Sequence, residues 1–234
     1  MYKNFFKRFF DIIFSFLAIV VLSPILLILS IIVGLNMGWP VFFTQERVGK
    51  DEKVFTMLKF RTMSNKKDEN GNLLPDEQRL TGFGKFLRST SLDELPELFN
   101  ILKGDLSFIG PRPLLVEYLP YYTEEERHRH DVRGGLTVPE VLHDNVTPTW
   151  EEQFAYEVEY AQNVTMWTDI KILFCTVRNL FNRNKTDYGS YVRKSLVEER
   201  TQGAEQQTAE NVETVQEEAA LADGTDAQTA AQAE

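Results

Sequence analysis

A chain of 234 residues, 43% of them hydrophobic, is long enough for one domain with a substantial core and appendages. Its formal charge of −10 is unevenly spread: from Glu198 to Glu234 ten acidic residues face Arg200 alone, so the first 197 residues carry a net of only −1. Such a near-neutral body lacks the basic footprint of a nucleic-acid binder, so no nucleic acid is expected as partner; a single cysteine, Cys175, excludes an intrachain disulfide and fits a reducing compartment.

The N-terminus interleaves Lys3, Lys7 and Arg8 with Phe5, Phe6, Phe9 and Phe10, and then runs from Ile12 to Leu35 without a charge. As a straight helix this apolar run is about 36 Å long, enough to cross a bilayer, and it is too long for a cleaved signal peptide. Ser23-Pro24 stands at its midpoint. Proline removes one backbone donor and clashes with the preceding turn, which favours a bend, and a hydroxyl such as Ser23 or Ser30 can take up the freed carbonyl. The residues alone leave open a kinked transmembrane helix or a segment that turns back, and the mixed charges at both flanks do not set an orientation.

From Val41 the composition is that of a globular domain. Val41-Phe42-Phe43 and Val54 to Leu58 read as two short strands joined by a polar turn with Gly49 and Asp51, a small β-hairpin. Asn65 to Gln78, with Gly71 and Pro75, reads as an exposed loop, and Leu80 to Arg88 as a basic segment. Ser91-Leu92-Asp93-Glu94 fits a capping box opening a helix in which Leu92, Leu95, Phe99 and Leu102 share a face, and Gly104 stops it. Pro96 sits deep for a helix entry, so the first turn is expected to be irregular. Leu106 to Ile109 is a short apolar run, a candidate strand, leading into the turn Gly110-Pro111-Arg112-Pro113.

Glu124 to His130 reads as helical, Gly134-Gly135 as a break and residues 136–150 as loop. Trp150 to Ala161 forms a helix. In the next one Trp167, Ile170, Phe174, Val177 and Phe181 line one face, with Lys171, Arg178, Arg183 and Lys185 elsewhere; this suits either the membrane interface or a core. Beyond Val197 the chain is Ala, Gln, Glu and Thr without apolar period, the composition of a disordered tail. The fold class is therefore α-rich α/β: one membrane-associated domain with a long apolar N-terminal helix bent or broken at Ser23-Pro24, a small β-hairpin and amphipathic helices that suit the membrane interface or a core.

Asp93 and Glu94 are the first candidates for chemistry. Acidic residues in a first helical turn also stabilise the helix by position alone. Their setting adds a second reading, because a helix N-terminus presents amides to an anion and Arg88 and Arg112 lie near in sequence. A carboxylate beside a phosphate, with its repulsion offset by cations or a metal, can attack phosphorus and split one transfer into two steps. Arg112, flanked by Pro111 and Pro113, is an aimed guanidinium or half of a structural salt bridge. His128-Arg129-His130-Asp131 lacks the ligand count of a zinc site and reads as a solvated helix face. His143-Asp144 reads as loop, Gly82-Phe83-Gly84 is only a fragment of a dinucleotide fingerprint, and two glycosylation sequons start at Asn145 and Asn163.

Taken together, Phe9-Phe10-Asp11, Ser23-Pro24, Gln45 to Gly49, Lys59 to Met63, Arg88 to Pro96, Asn100 to Ser107 and Gly110 to Pro113 resemble the bacterial sugar transferases, the monotopic phosphoglycosyl transferases that begin glycan assembly on a lipid carrier. The first 120 residues are similar to the small members that lack extra transmembrane helices. The resemblance implies that Asp93 attacks the β-phosphate of a UDP-sugar, expelling UMP, and that undecaprenyl phosphate then accepts the phosphosugar. It implies Mg²⁺ at Asp93 and Glu94, Glu94 as ligand or base, and Arg88, Arg112 and Lys59 on substrate phosphate. It further implies a re-entrant helix bending at Ser23 and Pro24, a location at the bacterial inner membrane with the catalytic domain on the cytosolic face, and room for a homodimer. On this reading residues 1–40 are the re-entrant helix, 41–196 the transferase domain and 197–234 the acidic tail. After Val132-Arg133 the chain departs from the family's Pro-Gly-Ile-Thr-Gly-Trp-Ala-Gln pattern: only Gly135 and Thr137 keep their places, with Leu136 close to isoleucine, which implies a subgroup with a different sugar preference. The competing readings are a membrane-anchored scaffold without activity and a glycosyltransferase that releases UDP.

Overall fold

The computed structural model describes residues 1–143, 148–182 and 193–203. Asp144, the sequon from Asn145 to Thr147, the side chain of Phe181, Arg183, Lys185 and the tail from residue 204 lie outside them. The chain divides into two units, Met1–Tyr188 and Gly189–Glu234. Of the second, residues 196–203 are helical, which corrects the expectation of a disordered tail for its first residues.

Helix α1 (Lys7–Met37) follows a π-helical turn at Tyr2–Phe6. The helix is continuous through Pro24, which corrects the expected break at Ser23-Pro24. The Val20 carbonyl that an amide at position 24 would have bonded accepts instead from the Ser23 hydroxyl at 2.8 Å, so the helix loses no partner there. Lys7, Asp11, Ser15, Leu26, Leu29, Val33 and Met37 are buried, and Ala18 and Leu22 pack between them. These positions recur every three or four residues, so one stripe of a helix about 46 Å long lies against the domain from end to end. The opposite face leaves Phe14, Phe16, Val21, Leu27 and Ile31 exposed. Residues Tyr2–Met37 are apolar and long enough to cross a membrane by length and composition.

Polar bonds tie the N-terminal end of α1 to the same unit. Lys3 donates to the Ala161 carbonyl, Lys7 pairs with Asp169 at 2.7 Å, and Asp11 accepts from Ser107 and the Phe108 amide. At the other end Arg61 reaches the Met37 carbonyl.

The predicted hairpin is present and longer than expected: β1 (Phe42–Val48) pairs antiparallel with β2 (Val54–Phe60), Phe43 opposite Lys59 and Gln45 opposite Met57. Opposed residues share a face, so Phe43, Gln45, Arg47, Phe55, Met57 and Lys59 point one way and Phe60 the other. Phe55 and Met57 pack on Leu98, Ile101 and Leu106, while Phe60 packs on Leu26 to Met37 and on Leu87. The exposed loop that begins at Asn65 ends in the single turn α2 (Asp76–Arg79). Helix α3 (Gly82–Thr90) is capped by Thr81, whose hydroxyl accepts from the Gly84 amide.

Helix α4 (Glu97–Lys103) begins only at Pro96. Its buried apolar residues are Leu98 and Ile101, not Phe99 and Leu102, because the turn before Pro96 resets the helical phase. Arg8 donates to the Ile101 and Leu102 carbonyls at 2.6 and 2.8 Å, a cation closing the C-terminus of α4.

Strand β3 (Leu106–Ile109) is where the apolar run placed it, but its partner corrects the reading of Gly134-Gly135 as a break. These glycines open β4 (Gly134–Thr137), parallel to β3. A Cβ on Gly135 would stand 2.1 Å from the Gly110 amide, so only glycine permits the backbones to approach this closely. Beyond the single turn α5 (Glu124–Arg127), Arg129 and His130 are buried, which corrects the solvated face expected there; His128 alone of the three stays exposed. Arg129 bonds Glu157 of α6 (Trp150–Gln162) at 2.6 Å and the Arg112 carbonyl at 2.6 Å. On α7 (Met166–Asn182), Ile172 and Asp169 face inward while Trp167, Ile170, Phe174 and Val177 are exposed, so the predicted stripe is an outer surface rather than core.

Candidate active site

Asp93 and Glu94 stand in a separate 3₁₀ turn, Leu92–Glu94, wedged between α3 and α4. The expected capping box is not formed. Ser91 has φ of 55°, the left-handed conformation, and serves as C-cap of α3, its amide donating to the Arg88 carbonyl; no side-chain cap bond joins it to the following turn. The two carboxylates are thus set by a reversal between two helices, and the first-turn reading of them falls with the box.

The reversal opens on a cleft of ≈ 550 Å³. Its lining joins the hairpin face bearing Gln45, Arg47 and Lys59 to Arg61 and Thr62 after β2, Arg79 of α2, Arg88 of α3, and Asp93 with Glu94. The volume is that of a site for a small ligand, and five cations around two carboxylates suit a polyanion. Each cation has a stated anchor. Gly84 abuts the Thr62 carbonyl so closely that a Cβ would overlap it. One turn further, Arg88 therefore meets Thr62 and donates Nε to its hydroxyl at 3.0 Å. Arg79 donates to the Ser64 carbonyl, and Arg47 to Gln45 and to the Pro113 carbonyl.

Lys59 projects from β2 between two carboxylates, 2.8 Å from Glu94 and 3.1 Å from Glu97. Burial alone would lower its pKa, but Glu94 and Glu97 together raise it, so it is held charged. Glu97 is 3% exposed, and burial pushes its carboxyl up to about 7 against the pull of Lys59. Asp93 is half-buried; burial first and the Glu94 charge second lift its pKa above the ordinary carboxylate range, with Lys59 and Arg88 opposing. An aspartate so placed is poorly solvated as an anion, which favours its use as a nucleophile once cations bind around it.

Lys59, Arg88, Asp93 and Glu94 thus meet as the sequence reading required. Arg112 does not line the cleft. Its amide donates to Glu157 at 2.8 Å and its carbonyl takes Arg129, so the Gly110 to Pro113 turn is fixed from behind by a buried ion pair. The Arg112 charge opposes the rise in the Glu97 pKa and adds to the lowering of that of Arg47. Ser23 and Pro24 lie on the helix and not in this cleft. Arg47, Arg61, Arg79 and Glu97 were missed as candidates: Arg47 and Arg61 stand in stretches that already resembled the family, whereas nothing local marks Arg79 or Glu97.

Among the described residues no group of three or more His, Cys, Asp or Glu could cage a metal. Asp93 and Glu94 do fit Mg²⁺, which takes one or two protein carboxylates and fills its remaining positions from substrate phosphate and water.

Comparison with known proteins places the chain in a family. The bacterial sugar transferase family matches residues 2–183. The chain is 47% identical over 174 residues to the uncharacterized sugar transferase EpsL of Bacillus subtilis, covering 74% of this chain and 86% of that one. It is 37% identical over 193 residues to a UDP-glucose:undecaprenyl-phosphate glucose-1-phosphate transferase of Klebsiella pneumoniae, covering 78% and 41%. It is also 34% identical over 184 residues to a UDP-N-acetylgalactosamine-undecaprenyl-phosphate N-acetylgalactosaminephosphotransferase of Aeromonas hydrophila, covering 75% and 44%. The chain therefore spans less than half the length of the latter two.

Proposed function

Because the chain belongs to the bacterial sugar transferase family, we propose that it moves a sugar 1-phosphate from a UDP-sugar to undecaprenyl phosphate, through a phosphosugar held on Asp93. The observation that carries this is the half-buried Asp93 with raised pKa in a cleft lined by Arg47, Lys59, Arg61, Arg79 and Arg88. A carboxylate oxygen of Asp93 attacks the β-phosphorus. The bond from that phosphorus to the bridging oxygen breaks, and UMP leaves with the oxygen. An oxygen of the acceptor phosphate then attacks the same phosphorus, and Asp93 leaves as carboxylate. The cations hold the diphosphate and disperse the charge of both transition states. Mg²⁺ held by Asp93 and Glu94 would supply further charge compensation.

Asp93 must be ionised to attack, and Lys59 and Arg88 favour that form. Lys59 is itself kept charged by Glu94 and by the buried Glu97, so Glu97 sustains the nucleophile from outside the cleft. The differing 134–141 segment forms β4 and the turn after it, and Glu140 there adjoins Glu157 behind Arg112. This placement supports an effect on sugar preference through the Arg112 turn.

Two features, α1 and α7, support the membrane placement. Both ends of α1 bond to one unit, and a helix crossing the bilayer would part its ends by the ~30 Å hydrocarbon layer. A placement at the inner membrane in which α1 dips into one leaflet without crossing it, with the domain on the cytosolic face where UDP-sugars are made, accounts for this and for the exposed stripe of α7. Tags before Met1 and after Asn182 should then both label from the cytosol; labelling from opposite faces rejects this placement.

A panel of UDP-sugars with polyprenyl phosphate and Mg²⁺ tests the activity. UMP release is expected, and its loss in Asp93→Asn. UDP as product would indicate plain glycosyl transfer, no nucleotide a scaffold, and undiminished UMP from Asp93→Asn would remove Asp93 as nucleophile.

A further inference from the structure

Two chambers adjoin at the N-terminal end of α1, away from the Asp93 cleft. About 18 Å of helix separates Phe14, which lines one of them, from Leu26, whose cluster includes Phe60 of the cleft. The larger chamber, ≈ 450 Å³, is walled by Phe10 and Phe14 of α1, Phe108 and Ile109 of β3, and Ile170 and Leu173 of α7. The smaller, ≈ 160 Å³, gathers the cations Lys3, Lys7, Lys50 and Arg133 against the carboxylates of Asp11 and Asp131. Lys7 and Asp11 line both, so they form the wall between hydrocarbon and charge.

An apolar chamber that shares Lys7 and Asp11 with a cationic one is complementary to a lipid with a phosphate at one end of its chain. We propose that this is a binding site for an anionic phospholipid of the surrounding membrane, an acyl chain in the larger chamber and the headgroup phosphate in the smaller. Three features select that occupant. With Lys7 paired to Asp169, three further cations, Lys3, Lys50 and Arg133, face the two carboxylates Asp11 and Asp131 around the headgroup chamber, and Lys50 is exposed. The rim residues Phe14, Ile170 and Leu173 are themselves exposed and continue the apolar faces of α1 and α7, so a chain enters from the bilayer without crossing polar surface. Finally, Asp11 is 4% exposed and spends Oδ1 on Ser107 and Phe108, while its buried Oδ2 has no donor. A glycerol headgroup hydroxyl would supply one, which favours phosphatidylglycerol over a phospholipid without such a group. The acceptor phosphate, by contrast, has to meet the phosphosugar on Asp93, along the other half of α1.

Native mass spectrometry of the full chain, released from detergent with phosphatidylglycerol, phosphatidylcholine or polyprenyl phosphate, tests this. One phosphatidylglycerol should be retained per chain, at least ~tenfold tighter than phosphatidylcholine. Lys50→Glu, at an exposed position, and Leu173→Trp, which fills the apolar chamber, should each weaken retention by ~tenfold or more, and Asp93→Asn should leave it intact. Equal retention of the two phospholipids, or retention unchanged in both chamber variants, overturns the proposal. So does displacement of phosphatidylglycerol by polyprenyl phosphate, which would give the chambers to the acceptor. None of these readouts depends on UMP release, so the lipid site and the proposed activity fail separately.

Discussion

Replacing Arg129 by methionine tests whether the Arg112 turn is held from behind by a buried charge pair. Arg129 and Glu157 side chains are 1% and 0% exposed, and Nε to Oε2 is 2.6 Å. The guanidinium also bonds the Arg112 carbonyl and lies 5.4 Å from the ring centroids of Tyr122 and Phe154. Methionine keeps much of the apolar contact but leaves Glu157 buried without its cation and beside Glu140. Breaking such a pair from one side costs about 3–5 kcal/mol. At about 2–4 °C per kcal/mol for a unit of this size, Arg129→Met should lower the melting temperature by about 6–20 °C. The double variant Arg129→Met/Glu157→Gln removes both charges and keeps an acceptor for the Arg112 amide, so it should regain at least half of that loss. Thermal unfolding followed by tryptophan fluorescence, at one detergent and one protein concentration, gives both numbers. A single variant within about 2 °C of the parent, or a double variant no more stable than the single, refutes the reasoning.

Lys59→Met removes a cation that favours ionised Asp93; UMP release at neutral pH should fall by ~10²-fold and the acid limb of the pH–rate profile should move to higher pH, an unmoved limb dissociating Lys59 from the nucleophile. Glu140 is pushed up to about 8 by burial and by Glu157, from an ordinary 4.5. The folded chain therefore keeps a proton that the unfolded chain has lost, and stability should fall as pH rises across that interval, by at most ~1.4 kcal/mol per pH unit. Glu140→Gln should flatten the slope in a denaturant series from pH 5 to 8, and an unchanged slope would assign it elsewhere. Gly135→Ala sets a Cβ against backbone and should cost at least ~1–3 kcal/mol or prevent folding, whereas Gly82→Ala, with open space around it, should be neutral or slightly stabilising; equal melting temperatures would argue against the close β3–β4 approach.

Periodicity made the hairpin, α6 and α7 legible, and Pro96 marked the turn carrying Asp93 as irregular. What escaped had physical reasons. A Gly-Gly pair ordinarily breaks structure, and only the packing against Gly110 makes it strand. Ser91 satisfies a capping pattern, but the reversal after α3 puts it in the left-handed conformation, where the box cannot close. Arg129 and His130 read as solvated because buried charge is rare without a partner, and the partner, Glu157, comes from a helix 28 residues later. The exposed stripe of α7 could not be told from core by spacing alone. In the cleft, Lys59, Arg88, Asp93 and Glu94 were each visible. Glu97 was hidden because an acidic residue at a helix start already has a local explanation, and Arg79 because it reaches the cleft from an otherwise exposed loop.

The covalent step is the centre of the account, and it is tested most directly by mixing the protein with its UDP-sugar and Mg²⁺ in the absence of lipid acceptor, quenching, and weighing the intact chain. The mass should rise by one sugar phosphate, the adduct should map to the peptide carrying Asp93, and it should disappear when polyprenyl phosphate is added before the quench. An enzyme that releases UMP with acceptor yet never carries the adduct, or carries it on another residue, contradicts Asp93 as the nucleophile.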